Sequence, residues 1–304
     1  MERRALDGKA SLLMLLLCMI LALQQVVLKL AADDISPMMQ IALRSGLAAV
    51  LVYPFIQLPA GTRLFSKEYL RPGLLVAFLF AAEFVMVAEA LHYTSASHTV
   101  MLLYTSPIFT ALGLHFKFVS ERLSKMQWFG ILIAFSGIVW AFVGQDSQQQ
   151  DFKQVLFGDA LALAAGIFWA MTTISLRFSR LGDAHPTQTL FYQLLGGCAF
   201  LLPIAYVTGQ SEIHWSWLAI SSLAFHTLIV SFFSLMLWFW LLRHYLASRL
   251  GVFSFLTPIF GMFCGVLFLG EQLETHFLVG TVLVMLGILV VSLRGWLQRS
   301  PCTT

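Results

Sequence analysis

Apolar residues run through this chain in long stretches, separated by short polar punctuation. Ten stretches approach the roughly 20 apolar residues that a helix needs to cross a bilayer. They lie at about 10–31, 36–58, 71–91, 95–117, 125–144, 155–178, 186–208, 214–241, 247–270 and 275–294. The separators, such as "AADDISP", "PAGTRLFSKEYLRPG", "GQDSQQQDFKQ" and "RLGDAHP", leave no room for an inserted soluble domain. The opening "MERRALDGKASLLMLLLCMILALQQVVLKL" has the basic start of a signal peptide. Its apolar run is too long for one, and no A-x-A site follows, so it is expected to be the first span. The pattern predicts an all-α membrane protein with ten transmembrane helices.

The chain also repeats itself. Gly8 matches Gly158, Glu121 matches Glu271, Gly130 matches Gly280 and Gly137 matches Gly287 at an offset of 150, and Pro107 matches Pro258 at 151. Two copies of five helices follow: a first repeat over 1–145, a second over 155–295, and a tail at 296–304. Five is odd, so the copies must cross the membrane in opposite directions. Inverted repeats of this kind mark transporters, because two pseudo-equivalent halves can exchange conformations around a central site.

Composition sharpens this. The 304 residues are 59% hydrophobic and 11% charged, with mean hydropathy +0.83. A soluble domain carries about a quarter charged residues. With the N-terminus inside, 15 of the 18 Lys and Arg residues fall on inner segments, which predicts both termini in the cytoplasm. The net charge of +3 comes without a basic stripe, so no nucleic-acid partner is expected. The four cysteines form no CxxC and are read as small buried residues. No metal or other cofactor is expected. No GxxxxGK[ST] loop is present, so a gradient or the substrate itself must supply the energy, and no HExxH or GxSxG suggests an enzyme.

"ALHYTSAS", "YTSPIFTAL", "ERLSKMQWFGILIAFSGI" and "GEQLETHFLVGTVLVMLGI" resemble the EamA-type domains of the drug/metabolite transporter superfamily, and "DALALAAGIFWAMTTISLRF" is similar to the opening of that family's second domain. The resemblance spans about Ala10 to Arg294. It implies a carrier of the bacterial inner membrane for small metabolites, often an exporter of amino acids or related compounds. It also implies that the fifth and tenth helices are peripheral and the other eight surround a cavity. The family's first helix usually carries an aromatic residue where this chain has Gln24 and Gln25, and its third often has aromatics where this chain has Glu83 and Glu89.

The candidate substrate-binding residues follow from the cost of polar groups in lipid. Glu83 and Glu89 lie six residues apart, about 120° around the third helix, so they are not expected to form one dyad. Glu83 sits deeper; Glu89 is near the outer end and within reach of water. Arg44 lies at a depth similar to that of Glu83, where it can pair with it or offer a fork to a carboxylate. Gln24 and Gln25 point about 100° apart, so at least one is expected to face the cavity, with interhelical hydrogen bonding as the alternative. His226, mid-span in the eighth helix, is a candidate for proton coupling or a neutral residue with one fixed hydrogen bond. His98 and His115, near helix ends, carry little information. Tyr104, Trp169, Tyr192 and Phe253 are candidate aromatic walls. Pro107 and Pro258 are read as mid-helix kinks that gate access. The Gly130/Gly137 and Gly280/Gly287 pairs are read as close-packing faces. The sequence thus points to a secondary active transporter of a small polar metabolite, monomeric or weakly dimeric in the lipid bilayer. Uptake of a nucleobase or a cationic metabolite is the alternative.

Overall fold

The computed structural model describes residues 8–58, 64–117, 123–143, 152–182, 184–245, 253–254 and 256–297. Its helices are α1 (Gly8–Leu30), α2 (Pro37–Val52), α3 (Lys67–Tyr93), α4 (Ala96–Leu103), α5 (Ser106–Lys117), α6 (Lys125–Val143), α7 (Phe152–Arg177), α8 (Pro186–Val207), α9 (Trp217–Ala224), α10 (Leu235–His244), α11 (Leu256–Leu269) and α12 (Thr275–Leu297). A π-helical segment, Phe225–Ser234, joins α9 to α10. Among the described residues seven helices are long and apolar enough to cross a membrane, and Lys125–Ala141, Leu256–Leu269 and Thr275–Val291 are shorter apolar helices.

Local chemistry sets the helix starts. The Ser36 hydroxyl accepts from the Met39 amide ahead of Pro37, which lacks the N–H that a first turn leaves unpaired. Ser95 caps α4 through the His98 amide, and Ser216 caps α9 through the Ala219 amide. At one end of the bundle the α1–α2 and α8–α9 connections are zipped together. Ile35 bridges Ile213, the His214 amide donates to the Asp34 carbonyl at 2.8 Å, and Ser36 Oγ donates to the Gln210 carbonyl at 2.7 Å. At the opposite end Arg180 pairs with Glu68 at 3.0 Å, and the Tyr192 hydroxyl donates to the Leu64 carbonyl at 2.6 Å.

The packing has the symmetry that the repeat predicts. α2 lies on α8 and α6 on α12, each pairing an element with its repeat partner, and α4 of the fourth predicted span lies on α11 of the ninth. α3 packs on α7 and α8, as the α9–π–α10 span packs on α1 and α2. The α6–α12 pair shows the inversion directly. A Cβ on Gly137 would lie 2.6 Å from the Gly280 carbonyl oxygen, and one on Gly130 would lie 2.8 Å from that of Gly287. Ascending one helix therefore means descending the other, so the two repeats end in antiparallel helices whose backbones touch at their glycines.

One reading of the proline positions needs correction. The fourth predicted span is broken, with a turn at Tyr104–Thr105 between α4 and α5. Pro107 is the second residue of α5, where its missing N–H is harmless, rather than a kink within a continuous helix. The Thr105 hydroxyl and amide both donate to the Leu102 carbonyl and so satisfy the break. Gly166 of α7 makes room for it, since a Cβ there would sit 3.0 Å from the Leu102 and Leu103 carbonyl oxygens. Pro258 is the third residue of α11; residues 246–252 and 255, just ahead of it, lie outside the described residues. The prolines that do sit inside helices are Pro72 of α3 and Pro203 of α8.

Candidate functional site

Arg44 is brought to the middle of the bundle by α2, which packs on α8, α3 and the π segment. It is 3% exposed. Its guanidinium carbon stands 4.8 Å from the centroid of the Phe84 ring. Its Nε and Nη1 have no hydrogen-bond partner. Glu83, the neighbour of Phe84 on α3, is 6% exposed. The two charges interact across the interior, yet no ion pair within 4.0 Å joins them. The expected pair is therefore an opposed couple with open hydrogen-bonding capacity, and Phe84 shields one face of the cation.

Tyr104 lies at the break between α4 and α5, close to Glu83 and to Thr257 of α11. Its ring meets Trp169 of α7 edge-on at 5.3 Å between centroids. Thr257, next to Pro258, has a buried hydroxyl oxygen without a partner. Gln25 and Gln40 also carry unpartnered buried Oε1 atoms. Arg44, Glu83, Tyr104, Trp169 and Thr257 thus assemble from five predicted spans in both repeats. Together they offer cationic donors, a carboxylate and aromatic faces.

His226 is fully buried beside this group and held by many bonds. Its Nε2 is 3.0 Å from the Gln24 carbonyl, and its Nδ1 is 2.8 Å from the Ser222 carbonyl and 3.1 Å from Gln40 Nε2. Gln40 Nε2 also donates to Ser222 Oγ. The imidazole therefore braces the eighth predicted span against α1 and α2. The Ser222 carbonyl that it engages is the one an α-helix would give to residue 226, and the π segment begins here. Ser234 Oγ donates to the Ile229 carbonyl five residues back, in keeping with the wider turn. Of the two adjacent glutamines, Gln24 serves this brace through its backbone.

Other candidates lie apart. Glu89 is half-buried at the end of α3 and accepts from Gln210 Nε2 at 2.7 Å. Tyr192 packs against Gly73 and Phe65 at the opposite end. Phe253 sits among the residues between α1 and α10, its carbonyl accepting from Cys18 Sγ at 3.2 Å. None of these three is brought to Arg44. His115 accepts from the Leu123 amide at 2.8 Å.

An open cavity of about 480 Å³ lies at the zipped end. It is lined by residues at three connections and the start of α7, among them Lys29, Asp33, His92, Thr94, Val155 and Glu271. Two groups here escaped the sequence reading. Glu271, expected as a loop charge, accepts from the Ala96 amide at 2.7 Å, the Ser97 amide at 3.1 Å and Ser97 Oγ at 2.5 Å, so it caps α4. Asp159 of α7 accepts from Thr94 Oγ1 at 2.6 Å, and both its oxygens lie 2.9 Å from His98 Nδ1. The only sequence signal for Asp159 was an acid near the start of an apolar run.

A bundle of antiparallel repeats with an unpaired buried arginine at its centre and an open mouth at one end defines a polytopic membrane transporter. Residues 8–143 and 156–293 each match the EamA-like transporter family, and the chain belongs to that family. An uncharacterized transporter, YoaV, of Bacillus subtilis is 24% identical over 267 residues, 86% of this chain and 89% of that protein. A probable amino-acid metabolite efflux pump of Escherichia coli is 26% identical over 296 residues, 94% of this chain and 95% of that one. One solved structure, 15% identical, superposes with a TM-score of 0.63 over 97% of this chain and 100% of that chain; this likeness concerns the fold alone.

Proposed function

We propose that this protein is a secondary active carrier that exports a small carboxylate-bearing metabolite, an amino acid or a derivative, by alternating access. The observation that carries the reading is Arg44, a fully buried guanidinium whose Nε and Nη1 donate to nothing. A buried cation with unmet hydrogen-bond donors is expensive unless a ligand completes it, and the guanidinium fork fits a carboxylate bidentately. Glu83 and the Oε1 atoms of Gln25 and Gln40 are acceptors for an ammonium or amide N–H of the same ligand. Phe84, Tyr104 and Trp169 supply apolar faces for its body.

The break at Tyr104–Thr105 places two helix ends, those of α4 and α5, near this group. Irregular backbone at such depth is tolerated where it lines a substrate path. In this reading Pro107 and Pro258 mark where the paired spans hinge as the halves exchange states. The distribution of Lys and Arg turns the cavity end outward, with both termini in the cytoplasm of a bacterial cell and the protein in its inner membrane. The efflux pumps among the relatives support the outward direction.

The test is to profile metabolites in spent medium from cells overexpressing the protein against cells with empty vector. Enrichment of an amino acid or derivative outside is the expected result. Depletion of a nucleobase or cationic medium component instead would replace this reading by uptake, with Glu83 as the main ligand.

A further inference from the structure

The His98–Asp159 pair is not part of the Arg44 group. It joins α4 to α7 near the mouth of the cavity. Both side chains are buried, as is Thr94, whose hydroxyl completes the carboxylate. Thr94 also lines the cavity, so one residue separates the pair from it. The Lys29 ammonium donates to the Thr94 carbonyl, and the His98 ring lies flat on Phe277 of α12, with 3.8 Å between centroids and 7° between planes. The imidazole is thus fixed on one face by an aromatic ring and at Nδ1 by a carboxylate.

From this geometry we propose that His98 and Asp159 form a proton-binding site that latches the cavity end of the carrier. The carboxylate holds a proton on Nδ1, because both its oxygens lie at hydrogen-bond distance and can only accept. One further proton, taken from water in the cavity, binds at Nε2 and turns a neutral hydrogen bond into an imidazolium–carboxylate ion pair. That tightens α4 against α7. Loss of the proton returns it to the water and leaves the weaker neutral bond. The cavity is bounded by the start of α4 at Thr94 and Ser95 and by Val155 of α7, so the strength of this link sets how far the mouth opens.

Among the described residues, the charged and titratable groups lining the adjoining cavity are Lys29 from α1, Asp33 from the α1–α2 connection, His92 and Tyr93 from the end of α3, and Glu271 from the α11–α12 connection. Glu274 and His276, paired with each other at 2.7 Å, precede Phe277 in the chain. Beside them His98 and Asp159 form an acid–base couple that ties two helices of opposite repeats together.

The proposal rests on the alternating-access reading, but its assay needs no substrate. Val155→Cys is labelled with a soluble maleimide in the full chain held in lipid nanodiscs, with the chain lacking that substitution as background. The same reporter is measured with Asp159→Asn and with His98→Gln across about pH 5 to 8, where an imidazole changes charge. The thiolate fraction changes alike in all three, so the ratio of rates isolates the latch. The reporter is expected to label about fivefold or more slowly with the native pair than with either variant at the acidic end, and at a similar rate at the basic end. A ratio constant across the range overturns the proposal and makes the pair a static brace. Where Asp159→Asn fails to fold, His98→Gln keeps an N–H donor for Asp159 and decides the matter. A constant ratio leaves the transport reading standing, and spent medium without an enriched metabolite leaves the latch standing.

Discussion

Replacing Arg44 by lysine separates a binding role from a structural one. Lysine keeps the positive charge over the Phe84 face, which lies 4.8 Å from the guanidinium carbon. What it loses is the planar fork. In the empty protein Nε and Nη1 make no hydrogen bond, so the substitution removes none from those two atoms. Folding stability should hold, with a melting temperature within about 2 °C of the parent, which corresponds to about 1 kcal/mol in a chain of this size. In the loaded protein the same substitution removes one of two charge-assisted bonds to a carboxylate. Such a bond is worth about 1.5–3 kcal/mol. At 1.4 kcal/mol per decade the substrate concentration for half-maximal transport should rise about 10- to 150-fold. The assay is transport in proteoliposomes of the metabolite that spent-medium profiling identifies, with thermal unfolding measured on the same preparation. A half-saturation within about twofold of the parent, together with a melting temperature lowered by about 10 °C, would refute the reasoning and make Arg44 a structural anchor.

Two further substitutions test the scaffold. Gly137→Val should destabilise the protein by about 1–3 kcal/mol, because its Cβ would lie 2.6 Å from the Gly280 carbonyl oxygen and 2.8 Å from the Leu283 Cβ; an unchanged thermal midpoint would mean that α6 and α12 do not touch there. Glu271→Ala should cost about 1–2 kcal/mol and speed amide exchange at Ala96 and Ser97, since it strips the first turn of α4 of its carboxylate acceptor; unaltered exchange at those two amides would contradict the cap.

The helices were legible because lipid leaves the backbone few choices, so a long apolar run is read as a helix with little competition. The glycine faces were legible for a related reason: spacing by seven puts Gly130 and Gly137 on one side, and the repeat supplied their partners at Gly280 and Gly287. Burial of Arg44 and Glu83 followed from their place inside apolar runs. Other features are invisible to hydropathy. The break at Tyr104–Thr105 leaves the apolar run intact, and a proline two residues into a new helix reads the same as one within an old helix. The π segment reflects a hydrogen-bond register chosen by His226, whose partners Gln40 and Gln24 are 186 and 202 residues away in the chain. The His98–Asp159 pair spans 61 residues, and each member taken alone looks like a helix-end polar residue. Local pattern specifies elements; these sites are specified by which elements meet.

The repeat also separates what moves from what is carried. At the offset of 150, glycine answers glycine in α6 and α12, and the prolines of the fourth and ninth predicted spans answer each other one residue further on. Thr257 answers Ser106 at the prolines' offset, but Arg44, Glu83, Gln24 and His226 have no such counterparts. Arg44 corresponds to Leu194, Glu83 to Phe233, Gln24 to Ile174 and His226 to Val76. On the proposed alternating-access reading, both halves need the duplicated positions because each must reproduce the other's packing when the states exchange. On that reading single-copy positions need not obey the constraint, since one substrate with chemically different ends would sit against both halves at once. An arginine repeated in the second half would oppose its own copy across the bundle and repel it. One cation from α2 set against one carboxylate from α3 instead gives the centre a direction, which a ligand with a carboxylate at one end and a hydrogen-bond donor at the other can read.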